Sequence, residues 1–411
     1  MKRVAVTGIG LITPAGTGKE AFWENAVRGR CGIGPVTLFD CGDLRVKIAG
    51  EVKDFIASDH MDNESASKLH RVDRFALAAV RMAAEDACID IYRLRKLRLA
   101  VAIGSTLGRS GLADKYRNSM EELSDCKLGK EFLEDIVPSG ILSAICNGIG
   151  IYGGPVRLFH NACAAGNYAI GYAYDMISSG QVDAAFAGGA DPLSRTALIG
   201  FNRLLSLTPD KCRPFDKNRK GLVVSEGAAI LMMEEMEAAR ERGARIYGEI
   251  KGYGLGMDAY HITSSDPEAS GTIKCIREAM KNSLLKEQDI DYISAHGTGT
   301  PTNDKAESKA LNMIFPDSVP PVSSIKSMIG HAMGAASAIE AAACCLMLEK
   351  QIALPTMNYD TPDDECRLDC IPNMARPMKM TNVLSNAFAF GGNTSCLAVS
   401  KVEQRQQSLT S

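Results

Sequence analysis

Short apolar runs that stop at glycine, each followed by a helical or small-residue segment, recur along this chain, and the second half replays the order of the first. Arg3 to Thr7 reads as a strand closed by Gly8-Ile9-Gly10, with helices at Lys19 to Arg28 and at Val72 to Ala87. Leu97 to Ile103 is a buried-strand run closed by Gly104-Ser105-Thr106. In the second half Ile246 to Ile250 reads as a strand broken by Gly252-Tyr253-Gly254. A helix is predicted at Gly271 to Leu285, then a short strand from Asp291 to Ala295. Pro155 to Phe159 leads to Cys163 and a helix of small residues; Val319 to Ser323 leads to His331 and another. Both helices look apolar on most faces, which predicts that both are buried. The pattern predicts an α/β fold duplicated near residue 250, with halves 1–250 and 251–411 sharing a continuous core. The polar tail from Glu403 to Ser411 is expected to fray.

Composition narrows the function. Forty-six basic and 49 acidic residues leave a formal charge of -3, which offers no electrostatic footprint for nucleic acid. The longest uncharged stretch, Ile136 to Val156, holds Pro138, Asn147, Pro155 and several glycines, so it makes a poor bilayer helix. The basic N-terminus is cut by glycines too soon to be a signal peptide. Thirteen scattered cysteines, odd in number, read as reduced thiols of a cytoplasmic protein. Cys366 and Cys370 lack nearby partner ligands and read as structural, so no metal site is expected.

Chemistry concentrates at three places. His296 opens His-Gly-Thr-Gly-Thr-Pro after an apolar run, and His331 sits in Lys-Ser-Met-Ile-Gly-His-Ala-Met-Gly. Small neighbours leave room for a substrate to approach the backbone. Cys163 lies in Asn-Ala-Cys-Ala-Ala-Gly between a strand and a helix. A thiol at a helix N-terminus is expected to titrate below its free value of about 8.5. Each feature alone is weak. Together, each at a strand end, they are much harder to dismiss.

With these residues in hand, the sequence resembles the β-ketoacyl-acyl carrier protein synthases, elongating condensing enzymes of the thiolase-like superfamily. The resemblance covers nearly the whole chain. It runs through Val6-Thr7-Gly8-Ile9-Gly10, Ala162-Cys163-Ala164, Cys212-Arg213-Pro214-Phe215-Asp216 and Ser225-Glu226-Gly227-Ala228. It continues in His296 to Thr300, Asp304-Lys305-Ala306-Glu307, Lys326 to His331 and Asn386 to Gly392. It implies a thiolase-like, duplicated, five-layered α/β/α/β/α fold, usually dimeric. It also implies decarboxylative condensation of malonyl thioester with an acyl chain, both delivered on acyl carrier protein, with no cofactor.

By the same resemblance Cys163 is the nucleophile, and His296 and His331 donate N–H to the enolate oxygen. Lys326 and Glu307 form a buried ion pair beside them, and the backbone N–H groups of Cys163 and Phe390 make the oxyanion hole. Thr298 and Thr300 hydrogen-bond the pantetheine arm, Phe390 gates the acyl pocket, and Phe201 lines it. Lys68, Arg71 and Arg74, which at a spacing of three would share one helical face, are expected to dock the acidic carrier.

Three positions depart from the family's pattern. Gly391-Gly392-Asn393-Thr394 stands for the usual Gly-Gly-Thr-Asn, Lys220 for a common Asp, and Asn161 for Thr or Ser. They read as specialisation toward polyene or polyketide chains. The partner is expected to be a second copy or a ketosynthase-like chain-length factor. The chain-length-factor role itself is disfavoured by Cys163. Degradative thiolases, with a second cysteine as base, and initiating synthases, with Cys-His-Asn, are disfavoured by the second histidine.

Overall fold

The computed structural model describes residues 1–110 and 137–403. The tail expected to fray lies, beyond Glu403, outside the described residues. The first half carries β1 (Val4–Thr13), α1 (Lys19–Val27), α2 (Asn63–Lys68), α3 (Arg71–Asp86), β2 (Leu99–Gly104) and α4 (Gly140–Ile149). It continues with β3 (Val156–Phe159), α5 (Ala165–Ser178), β4 (Ala184–Asp191), α6 (Arg195–Arg203) and β5 (Gly227–Glu235). The second half carries β6 (Gly248–Met257), α7 (Ser270–Asn282), β7 (Tyr292–Ser294), α8 (Pro301–Ile314), β8 (Val322–Ser323), α9 (Met333–Lys350), β9 (Asn382–Phe388) and β10 (Asn393–Ser400).

The strands lie in the order β8-β7-β9-β10-β6-β1-β5-β4-β2-β3. Among the described residues each half therefore contributes five strands to this order, the short strand Gly16–Thr17 pairing with β1 beside it, and the two sets have the same order. β2 runs parallel to β3 and β4, as β7 does to β8 and β9. β5 is antiparallel to β4 and β1, as β10 is to β9 and β6. The sets meet where Val4, Ala5 and Val6 pair with Ile250, Glu249 and Gly248. The two sets thus repeat one strand plan, and β6, which opens the second set, runs through residue 250.

Five layers result. α3 and α4 cover the first set of strands, α5 and α9 pack on each other between the two sets, and α7 with α8 covers the second. Parallel pairs need both faces covered, which this layering provides. Every residue of α9 from Met333 to Leu348 is buried, as its uniform apolar and small composition predicts. Among the described residues no helix is long and apolar enough to cross a membrane.

One expectation fails instructively. Gly8 and Gly10 were expected to end the first strand, yet β1 runs on to Thr13. A Cβ on Gly8 would lie 2.1 Å from the Ala83 oxygen, and one on Gly10 would lie 1.8 Å from that of Ala79. These glycines let α3 settle onto the sheet rather than turn the chain. The second half repeats the device: β6 continues through Gly254, whose Cβ would meet the Cys275 oxygen of α7 at 2.1 Å.

Candidate active site

Two helix starts converge on one cleft. Cys163 occupies a single 3₁₀ turn, Ala162–Ala164, between β3 and α5. His331 stands between the short helix Lys326–Ile329 and α9. The chain is strained next to both: Ala162 has φ +47°, and so does Met333. Strain of this kind costs on the order of 1–3 kcal/mol and collects at functional sites. His296 follows β7, and its turn leads into α8. Cys163, His296, His331, Thr298, Thr300, Glu307, Phe201 and Phe390 all line the same cleft. The rings of His296 and His331 meet edge to face, with centroids 5.3 Å apart, and Phe388 packs against His296 at 5.7 Å. Phe201 stacks on Phe390 at 5.9 Å.

The electrostatics set the protonation states. Burial pushes both imidazoles well below their usual range, and the Lys326 cation pushes them further, so both are neutral near pH 7. A neutral imidazole has one N–H to donate and one nitrogen to accept. Burial pushes the Cys163 thiol up to about 12, against the Lys326 charge and the backbone N–H groups of Phe390 and Cys163, which pull it down. The lowering expected from the helix terminus is overturned, because loss of hydration outweighs the stabilising groups.

The ion pair expected between Lys326 and Glu307 is also corrected. Lys326 pairs with Glu340 of α9 and donates to the His296 oxygen at 2.7 Å; its Nζ lies 3.4 Å from His296 Nδ1. Glu307 instead accepts from the backbone N–H groups of His296 (2.9 Å) and Gly297 (2.8 Å) and from the Asn386 amide (3.3 Å). From the second turn of α8 it reaches the His296 loop, so it shapes that loop rather than neutralising the lysine. Burial pushes Glu307 up to about 7, against those donors. Glu340 was missed from sequence, although it is the one charged residue between Met333 and Leu348.

The rim is hydroxyl-rich. Thr298 and Thr300 share a hydrogen bond of 2.8 Å, and Thr302, Thr263, Ser264 and His261 join the lining. The last three belong to a loop after β6 that no sequence periodicity marked. Its Ile262 oxygen accepts from Gly391 N–H at 2.8 Å, beside Phe390. Gly391 and Gly392 have φ near +79° and +78°, so the departure in this loop falls after the two left-handed glycines and leaves them in place. Lys220 is exposed, and its neighbour Gly221 donates to the Gly299 oxygen at 3.0 Å. Asn161 lends its carbonyl to Ala164 N–H at 3.2 Å.

Lys68, Arg71 and Arg74 do not share a helical face. Lys68 ends α2, Leu69 and His70 are extended, and Arg71 opens α3. Arg71 is committed to buried Glu226 through two hydrogen bonds of 2.8 and 2.6 Å, and Arg74 donates to the Leu69 oxygen. Only Lys68 is well exposed, in a surface pair with Glu64. Cys366 and Cys370 are buried in the second-half core, and no group of three metal-ligating side chains occurs among the described residues.

Comparison with known proteins follows this geometry. The family model described as "Beta-ketoacyl synthase, N-terminal domain" matches residues 1–239, and that of the C-terminal domain matches residues 247–360. The 3-oxoacyl-[acyl-carrier-protein] synthase 2 of Staphylococcus aureus is 37% identical over 410 residues, covering 98% of this chain and 99% of that protein. Its namesake from Synechocystis is 36% identical over 411 residues, with the same coverage. Among solved structures, the ishigamide ketosynthase/chain length factor superposes with a TM-score of 0.93 at 38% identity, covering 98% of this chain and 100% of that one. A type II PKS acyl-carrier protein in complex with its hexaketide-bound ketosynthase gives 0.89 at 30% identity, again over 98% and 100%.

Proposed function

Because the chain belongs to the β-ketoacyl synthase family, we propose that its cleft carries out condensation in two half-reactions with Cys163, His296 and His331 in separate roles. The protein is a 3-oxoacyl-acyl carrier protein synthase, an acyltransferase. In the first half-reaction the Cys163 sulfur attacks the thioester of an acyl carrier protein. The carbonyl oxygen, now an oxyanion, accepts from the N–H groups of Cys163 and Phe390. The carrier's sulfur leaves with the proton that Cys163 gave up, and the acyl chain stays on Cys163.

In the second half-reaction malonyl carrier protein enters past Phe390, with its pantetheine arm along Thr298 and Thr300. Carbon dioxide leaves, and the electron pair becomes an enolate whose oxygen accepts N–H from His296 and His331. Neutral imidazoles in a water-poor pocket suit this task, since the charge appears only as the bond breaks. The enolate carbon attacks the acyl carbonyl, the new carbon–carbon bond forms, and Cys163 sulfur departs and regains a proton. Lys326 orients His296, and Glu307 holds its turn. Thiol, imidazole and backbone amide supply every step, so the scheme calls for no metal, nucleotide or flavin. Carrier-bound substrates and scattered thiols fit work in the cytoplasm. The repeated strand plan fits a division into halves at about residue 250.

The observation that carries this reading is the convergence of one buried thiol, two neutral imidazoles and the Phe390 N–H on a single cleft. Purified protein given acyl- and malonyl-acyl carrier protein should release carbon dioxide and form 3-oxoacyl carrier protein in equal amounts. Carbon dioxide release with no new carbon–carbon bond would reject the two-stage scheme.

The likeness to the ishigamide ketosynthase/chain length factor favours a second reading, in which this chain is the catalytic half of a heterodimer serving polyene or polyketide chains. Condensation by the self-associated protein alone, at full rate, would reject it. Condensation that appears only when a chain-length-factor paralogue is co-expressed would support it.

A further inference from the structure

Asp191, the last residue of β4, is fully buried and takes four donors from two other segments. Ser105 Oγ (2.7 Å) and Leu107 N–H (2.7 Å) donate to Oδ1, Thr106 N–H donates to both oxygens (3.0 and 2.9 Å), and Gly334 N–H donates to Oδ2 at 2.6 Å. None of these donors is a cation.

The Gly334 contact explains how α9 begins. Its N-cap is Ala332, which has no side-chain acceptor, so one of the first free N–H groups of the helix is satisfied by Asp191 from another strand. A carboxylate is also favoured at the positive end of an 18-residue helix. Gly334 must be glycine for this approach: a Cβ would lie 2.8 Å from Asp191 Oδ2 and 2.7 Å from Thr106 N. His331 stands three residues upstream.

The other donors lead to Cys163. The turn 105–107 follows Gly104, where a Cβ would come within 2.2 Å of the Ala165 carbonyl carbon and 2.4 Å of Gly166 N. The end of β2 therefore rests directly on the start of α5, two residues past the nucleophile. One carboxylate ties the base of the Cys163 helix to the base of the His331 helix.

Resting on the roles given above to Cys163 and His331, we propose that Asp191 is a positioning residue for condensation: it fixes the spacing between the nucleophile and His331 and carries its carboxylate between the bases of their two helices. The charge has a direction. Asp191 opposes ionisation of Cys163, while Lys326 favours it; His296 and His331 are neutral, and Glu340 is occupied by Lys326. Burial holds the resting group as a thiol, and Asp191 adds to that effect. Burial pushes Asp191 itself up to about 6, against its backbone and serine donors, so its charge fades below that pH.

The test uses the full-length protein with Asp191→Asn. The amide keeps the shape but loses the charge, and it turns an N–H toward either Gly334 or the 105–107 turn. Iodoacetamide labelling of Cys163, followed by mass spectrometry from pH 5 to 9, is expected to run about threefold faster than wild type or more above pH 7. The ratio should fall toward one below pH about 6, where wild-type Asp191 is also uncharged. The kcat for condensation should fall about tenfold, with KM for acyl carrier protein little changed. A folded Asp191→Asn protein whose labelling ratio does not vary with pH and whose kcat stays within about twofold of wild type overturns the proposal, even if its melting temperature drops. Should that variant fail to fold, Gly334→Ala keeps the charge but forces α9 and Asp191 apart. It is expected to lose about tenfold in kcat with the wild-type labelling profile, and wild-type kcat in it counts against the proposal. Wild-type protein that labels at Cys163 but never condenses would instead reject the function proposed above.

Discussion

Lys326 Nζ donates to the His296 main-chain oxygen at 2.7 Å while its charge is matched by Glu340 across the base of the site. One buried ammonium thereby joins the turn that carries His296 to the helix that follows His331, and its field adds to the burial that keeps both imidazoles neutral.

Lys326→Ala should strand the Glu340 carboxyl in the core, costing about 3–5 kcal/mol of stability in denaturant titrations. Decarboxylation of malonyl carrier protein should fall about a hundredfold as His296 loses its support. The pair of changes Lys326→Met with Glu340→Leu should recover most of the stability and none of the activity. Recovery of both would mean the ion pair only fills space.

The histidines make a pH prediction with a definite sign. Their folded pKa values lie below the unfolded value of about 6.5, so below that pH the unfolded chain binds more protons and these groups withdraw stability as pH falls. Well above pH 7 they contribute almost no further change. The condensation rate should accordingly have no histidine limb centred near pH 6.5, and its histidine-dependent decline should begin lower. A kcat/KM profile with a limb at about 6.5 that disappears in His331→Asn would contradict neutral, deeply buried imidazoles.

The corrected surface contacts separate two kinds of basic residue. Arg71→Ala should lower stability by about 3 kcal/mol, because it leaves Glu226 buried without its cation. Lys68→Ala should change stability by less than about 0.5 kcal/mol, since its pair with Glu64 is exposed. Thermal melts of the two variants test the contrast. Equal melts would mean that the Glu226 pair carries no structural weight.

Much of this architecture is legible in the sequence because apolar periodicity is a local signal. The helix at 71–86, the strand at 99–104 and the two buried central helices follow from spacing and composition alone. The site motifs are legible because small residues surround each reactive side chain. What escapes is set by contacts between distant segments. Gly8 and Gly10 look like strand ends until α3 is seen resting on them. Which of two acids meets Lys326 depends on whether α8 or α9 turns its face inward, and the four-residue motif around Glu307 says nothing of that. The acidity of Cys163 depends on burial by the whole fold, which outweighs the local helix terminus.

The glycine correction is itself testable. Gly10→Ala, which adds one methyl group where Ala79 oxygen would be 1.8 Å away, should destabilise the protein by about 3 kcal/mol or more. A strand-ending glycine with open space would lose only a few tenths. Urea titration of this single variant decides between the two readings.

The central claim is most directly tested by intact and peptide mass spectrometry after incubation with acyl carrier protein loaded with a short acyl chain. The account expects one acyl group per chain, located on the peptide bearing Cys163 and absent from Cys163→Ala, which should also lose condensation. Acyl groups spread over several of the thirteen cysteines, or full condensation by Cys163→Ala, would contradict it.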